Sequence, residues 1–163
     1  MSEIFNFPAI FNKYDLDINK YNNREKIEII EYILFKTCDN IADDMPVGHY
    51  IHAGMYERTL FIPAGTILTG KIHLIAHMFR LLAGELSVMS DNGVMKRIAA
   101  PERFDVPANT KKIGYAHTDV LCSTVHKTDL TDIDEIEKEA LENSNLEWID
   151  SILKIEDKKL CQQ

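Results

Sequence analysis

The sequence predicts an all-β barrel with helical additions at both ends. Three observations lead there. Residues 49–126 divide into nine short, apolar-rich segments. Gly, Pro and Asn/Asp turns separate them at roughly 8–12-residue spacing, the pattern of a sandwich or barrel. Asp91-Asn92-Gly93, between two of these segments, is a strong hairpin signal. Helical periodicity appears only outside the region, at residues 23–37 and 131–153.

Taken in order, Phe5, Phe7, Ile10 and Phe11 (with Ile4) make the N-terminal stretch too apolar for a free tail. It is expected to be an arm packed on the body or on another subunit. Asn23 is the expected N-cap of a helix whose Ile27, Ile30, Ile33 and Leu34 share one face. Asp39-Asn40 and Asp43-Asp44-Met45-Pro46 end it. The strands are expected at residues 49–53, 56–62, 67–73, 77–83, 85–90, 95–99, 103–106, 111–116 and 120–126. Pro63-Ala64-Gly65, Pro101 and Pro107-Ala108-Asn109 are the other breaks. Thr131 or Asp132 caps a last helical segment with a thin stripe of Ile133, Ile136, Ala140 and Leu141. A second piece carries Leu146, Trp148, Ile149, Ile152 and Leu153. The resulting division is an N-terminal arm and helix at 1–48, a barrel at 49–128 and an acidic helical segment at 129–163.

Length suits one domain with short additions. The net charge of −8 argues against nonspecific binding to nucleic acid or to an anionic membrane surface. That charge is uneven. Residues 59–127 hold eight Lys/Arg against five Asp/Glu, whereas residues 129–150 hold nine acids and one base, Lys138, so the middle of the chain can still receive an anion. Cys38, Cys122 and Cys161 are widely spaced with no CxxC, which suits a reducing, cytoplasmic setting and excludes a zinc knuckle. Cys122 reads as inert core. Neither a transmembrane span nor a signal peptide is expected.

The chemistry concentrates in Gly70-Lys71-Ile72-His73-Leu74-Ile75-Ala76-His77, with Arg80 just beyond. If strand alternation turns Lys71, His73 and Lys112 inward, they form a cationic pocket suited to phosphate or carboxylate. The competing reading makes Arg80 and Lys111 solvated outer-face residues and pairs Lys71 with Glu57 or Glu85. Tyr56 and Tyr115 are candidates for hydrogen bonding or stacking on a ligand, or for packing. His73 and His77 are candidate metal ligands that need a third donor. His49, His52, His117 and His126 join them only through the fold.

The Pro63-Ala64-Gly65 turn, the run Arg80-Leu81-Leu82-Ala83-Gly84-Glu85-Leu86 and the later Phe104-Asp105-Val106-Pro107-Ala108-Asn109 together resemble the cupin superfamily. The resemblance implies a double-stranded β-helix barrel. Tyr56, Arg58, Ile62 and Pro63, the Gly-Lys-Ile-His stretch and Gly114-Tyr115-Ala116-His117 are similar to small uncharacterised cupin-like proteins of tailed phages. This would place the chain in a host cytoplasm. The family's metal set is two histidines and a glutamate in its first motif and a histidine in its second. Here Lys71 and His73 fall on the two histidines, His77 near the glutamate and Lys112 on the last. A charged ammonium cannot ligate a metal, so the cofactor expectation is none, or a divalent metal held otherwise. Some cupins pair a histidine and a tyrosine as acid and base, for which His73 and Tyr115 are the candidates.

Three functions follow as expectations. The first is a non-catalytic binder of a small anionic molecule in a homo-oligomer, with a nucleotide as the candidate ligand and sequestration of a host signal as one version of its role. Its ligand-binding residues are Lys71, His73, His77, Lys112, Tyr115, Tyr56 and Arg58. The second is a metal-dependent enzyme using His73 and His77. The third is a structural or interaction protein with a filled barrel.

Overall fold

The structure is a computed structural model and describes residues 5–37 and 45–155. Two helices come first, α1 (Phe7–Lys13) and α2 (Asn23–Thr37). The cap of α2 is Asn22, one residue before the expected Asn23. The Asn22 side chain accepts from the Glu25 N–H at 2.9 Å and the Glu25 carboxylate accepts from the Asn22 N–H at 2.8 Å, a reciprocal capping box.

The strands are β1 (Val47–His52), β2 (Met55–Ile62), β3 (Ile67–Thr69), β4 (Ile72–His73), β5 (His77–Ala83) and β6 (Glu85–Ser90). They continue as β7 (Met95–Ala99), β8 (Glu102–Val106), β9 (Lys112–Ala116) and β10 (Val120–Lys127). The segment expected as one strand over 67–73 is two, broken at Gly70-Lys71. After β10 come α3 (Ile133–Ala140), β11 (Leu141–Glu142) and a 3-10 turn at Glu147–Ser151. The expected helical tail is therefore one short helix, a strand and a turn. With three α-helices, the class is mixed rather than strictly all-β.

Two antiparallel sheets face each other, in the orders β1-β2-β10-β5-β8 and β3-β9-β6-β7. β11 and β4 form a separate small pair. Period-2 alternation gives each sheet an inner and an outer side. Ile62, Leu81, Leu86, Ala116, Val120 and Cys122 fill one core between the sheets. On the outer side of the four-stranded sheet, Met89 and Ile113 join a second core with Phe5, Phe11, Ile27, Ile30 and Ile33. Ile149 and Leu153 from the tail enter this same cluster, and Phe11 and Ile149 are completely buried. The apolar residues at both ends of the chain, expected to pack on the body or on a partner subunit, thus pack largely on the body and on each other. Cys38, Cys161 and the breaker group at 39–44 lie outside the described residues.

Gly84, between β5 and β6, has φ +86°, and a Cβ there would sit 2.1 Å from the Asp119 carbonyl oxygen. Only glycine fits that turn without strain. Asn109, which stands where the second motif has glycine, adopts φ +62°, a left-handed conformation that asparagine tolerates.

Lys111 corrects the sequence expectation. It is not solvated but fully buried beneath α2. Its Nζ donates to Glu31 Oε1 at 2.9 Å and to the Gly70 carbonyl at 2.8 Å. Arg80 is on the outer face as expected, where it pairs with Glu57 at 2.8 Å. Glu85 pairs with Arg97, so neither carboxylate expected for Lys71 is used by it. Lys111→Ala would strand the Glu31 carboxylate and the Gly70 carbonyl. We expect a loss of about 3 kcal/mol in urea unfolding, near the lower end for a broken buried pair because Glu31 keeps some solvent contact.

Candidate functional site

The space between the sheets is not completely filled. A cavity of about 140 Å³ remains. The five-stranded sheet supplies Arg58, Leu60 and Ile62 from β2, Phe79 from β5, Phe104 from β8, and Cys122 and Thr124 from β10. From the opposite sheet come Leu86 and Val88 of β6 and Lys112 of β9; Leu68 of β3 and Gly114, which has no side chain to occupy the space, complete that wall. Lys71, His73 and Leu141 border it where β4 pairs with β11. The lining is predominantly hydrocarbon, and its polar groups are few and mostly cationic or neutral nitrogen bases.

Strand parity produces this. Lys111 turns outward to Glu31, so Lys112, the next residue, turns inward. Its Nζ lies 5.5 Å from the centroid of the Phe79 ring. No carboxylate pairs with it among the described residues. Loss of hydration pushes the Lys112 pKa down to about 8, against weaker opposing contributions from Cys122 and Asp91. Arg58 is held at its Nε by Glu137 of α3, at 3.1 Å. The same carboxylate lies 3.4 Å from the Tyr56 hydroxyl, which also meets His49 Nδ1 at 2.8 Å. Burial, then Glu137, pushes Tyr56 up to about 12, so it remains a neutral phenol.

His73 and His77 are brought together, with ring centroids 3.9 Å apart and planes 27° apart. Desolvation is the main cause of both pKa shifts. His73 is lowered to about 3, with further repulsion from His77 and Lys112, and His77 to about 4, with further repulsion from Lys112. Both rings are therefore neutral at pH 7. His77 Nδ1 lies 3.2 Å from the Ile75 carbonyl, which assigns it the proton, and its buried Nε2 has no partner among the described residues. The same holds for the buried Nε2 of His126, beside Tyr56 on the neighbouring strand.

These residues do not fit the family's metal set. Ring-nitrogen lone pairs lie in the ring planes, and two stacked, nearly parallel rings do not aim them at one point. Among the described residues, no group of three His, Cys, Asp or Glu side chains is arranged to hold an ion. Lys112 occupies the inward position on β9 where the second motif would place its histidine.

The remaining sequence candidates separate. Lys71 precedes β4 rather than lying within it, and sits exposed at the cavity edge. Tyr56 is buried beside the cavity without lining it. Tyr115 points to the other side of β9, into the cluster around α2, and meets His117 edge-on at 5.0 Å. It is not brought to His73, so the imagined acid–base pair does not form. His52 stacks on Tyr50 at the surface. The sequence reading missed Glu137, Phe79, Phe104 and Thr124. Alternation within β5, β8 and β10 carried the signal for the last three. Nothing local marked Glu137, whose contact spans 79 residues.

Two facing antiparallel sheets, with the strand order given above and a cavity between them, match known structures. This is the cupin fold. The DMSP lyase DddQ of Ruegeria pomeroyi DSS-3 aligns with a TM-score of 0.50 at 13% identity, over 60% of this chain and 54% of that one. KdgF from Halomonas aligns with a TM-score of 0.48 at 13% identity, over 60% of this chain and 90% of that one. A cupin superfamily protein of Desulfitobacterium hafniense gives 0.45 at 10% identity, over 52% and 78%. No protein-family model matches the sequence, and no curated protein matches it. At such identities the cupin likeness concerns the fold alone.

The stacked imidazoles make stability pH-dependent. Their folded pKa values lie below the unfolded value of about 6.5. The stability they contribute is thus complete above that pH and is lost as pH falls through 6 towards 4. Each supplies a slope of at most about 1.4 kcal/mol per pH unit. Urea midpoints measured from pH 7 to 4 are expected to fall, and His73→Phe should flatten the decline.

Proposed function

We propose that this cupin barrel binds a small organic anion with a compact apolar body, without metal chemistry. One observation carries the reading: Lys112 presents an ammonium to an open, apolar cavity, and among the described residues no carboxylate answers it. An ammonium withdrawn from water is unfavourable unless an anion compensates. A carboxylate or phosphate entering from outside supplies that compensation, while Phe79, Phe104, Leu60 and Leu86 receive the rest of the molecule.

Volume refines the ligand. An engineered apolar cavity of about 150 Å³ accommodates benzene, so this one suits a single ring or a short branched chain. A nucleotide would leave most of itself outside the barrel, which favours a smaller acid over the nucleotide first suggested by the cationic residues.

Benzoate is a suitable probe, with affinity measured by calorimetry. Lys112→Met should weaken it about tenfold or more, the worth of one charge-assisted hydrogen bond, while Lys20→Met, exposed and away from the cavity, leaves it unchanged. Affinity should hold steady below pH 8 and decline above it as Lys112 loses its proton. Native mass spectrometry and elemental analysis of the purified protein complete the test. A bound small acid supports the reading. Absence of binding by benzoate and by other small carboxylates or phosphates overturns it, and so does a stoichiometric metal lost on His73→Ala.

A further inference from the structure

The cavity holds a second capability that anion binding leaves unused. We propose that Lys112 is a nucleophile that captures small oxo acids as a reversible imine inside the barrel, with the Arg58 guanidinium gripping the acid group. This rests on the binding reading above and names its substrate class: carbonyl compounds bearing a carboxylate.

Four features point there. The Lys112 side chain ends in a mostly hydrocarbon cavity with room for a molecule of this size. Among the described residues no carboxylate fixes its amine as an ammonium. Lys111, its neighbour in sequence, is the contrast: Glu31 and the Gly70 carbonyl hold it, on the other side of β9 from this cavity. Arg58 lines the same cavity and engages Glu137 only through Nε among the described residues, so its two terminal nitrogens stay open to a second carboxylate. A lysine desolvated in a hydrophobic pocket is an arrangement that activates an amine towards carbonyl carbon. Burial has already lowered the proton affinity of Lys112, so a useful fraction is free amine at neutral pH.

The step balances without a redox partner. The Nζ lone pair attacks the carbonyl carbon, a C–N bond forms, and the carbonyl electron pair moves to oxygen, which takes a proton. The carbinolamine then expels that oxygen as water, leaving an iminium. Overall, one amine, one carbonyl and one proton give one iminium and one water, and hydrolysis reverses it. The apolar walls limit the water available for that reversal. The other nucleophile candidate on the wall, Cys122, is pushed up to about 11 by burial and stays a thiol.

The test uses the full chain, pyruvate as the probe and cyanoborohydride to trap the iminium, with peptide mapping of the labelled lysines. Labelling of Lys112 should be at least about tenfold faster than that of the exposed Lys20 at neutral pH, since an ordinary lysine is almost wholly charged there. Benzoate should suppress labelling at Lys112 and leave Lys20 unaffected. The map is read on the unaltered protein, so it does not depend on a variant that folds. Lys112→Arg, checked by circular dichroism, should remove the fast site. If benzoate binds but Lys112 labels no faster than Lys20, the imine proposal is overturned and the anion binder stands. If neither benzoate nor other small carboxylates or phosphates bind and Lys112 does not label, both fall.

Discussion

The arrangement of the barrel interior depends on the Lys111–Glu31 contact. A buried ammonium that donates to a helix carboxylate and to the Gly70 carbonyl joins α2, the start of β9 and the break between β3 and β4 at one point. Because neighbouring residues of a strand face opposite ways, fixing Lys111 under the helix commits Lys112 to the interior. A one-residue slip of β9 would put Lys112 opposite Glu31 in place of Lys111, but it would also move Ile113 from the helix-facing core into the space between the sheets and turn Gly114 towards α2. The ion pair and the packing of Ile113 together select the register, and the register places positive charge in the cavity.

The interior divides its nitrogen chemistry along the sheet. Tyr56, His126, His77 and His73 form a neutral group in which burial suppresses ionisation, holding the proton on the phenol and keeping an extra one off the imidazoles. Beside them, Arg58 is paired with Glu137 and Lys112 holds its amine over the Phe79 ring. Neutral imidazoles packed face to face need no counterion, which explains how several histidines coexist with two cations in a small volume. It also explains why a histidine-rich sequence does not yield a cluster of converging donors here.

Much of the barrel was legible in the sequence because its signals are local. Gly84 and Asn109 mark left-handed turns, Asp91-Asn92-Gly93 marks the β6–β7 hairpin, and alternation marks most strands within a residue or two. The inward position of Lys112 and the outward position of Arg80 followed from the same periodicity. What escaped was decided across long separations. Lys111 looked solvated because its partner lies on a helix 80 residues earlier. Tyr115 looked available because the sequence does not tell which side of β9 a helix will cover. The tail read as helical because its acids favour a helix start, yet Leu141 and Glu142 are claimed by β4, a tertiary contact that overrides local propensity.

The position of β10 has a consequence for how the chain acquires its structure. It pairs with β2 on one side and β5 on the other, so the larger sheet has no centre until residues 120–127 arrive. Strands β1 and β2 can form a hairpin early, but the outward edge of β2 must wait for a partner about 60 residues further along the chain. Closing loops of that length before any contact rewards them slows folding. During synthesis, β2 would therefore remain an unpaired, apolar edge until nearly the whole barrel had been made, an interval in which dependence on chaperones would be greatest.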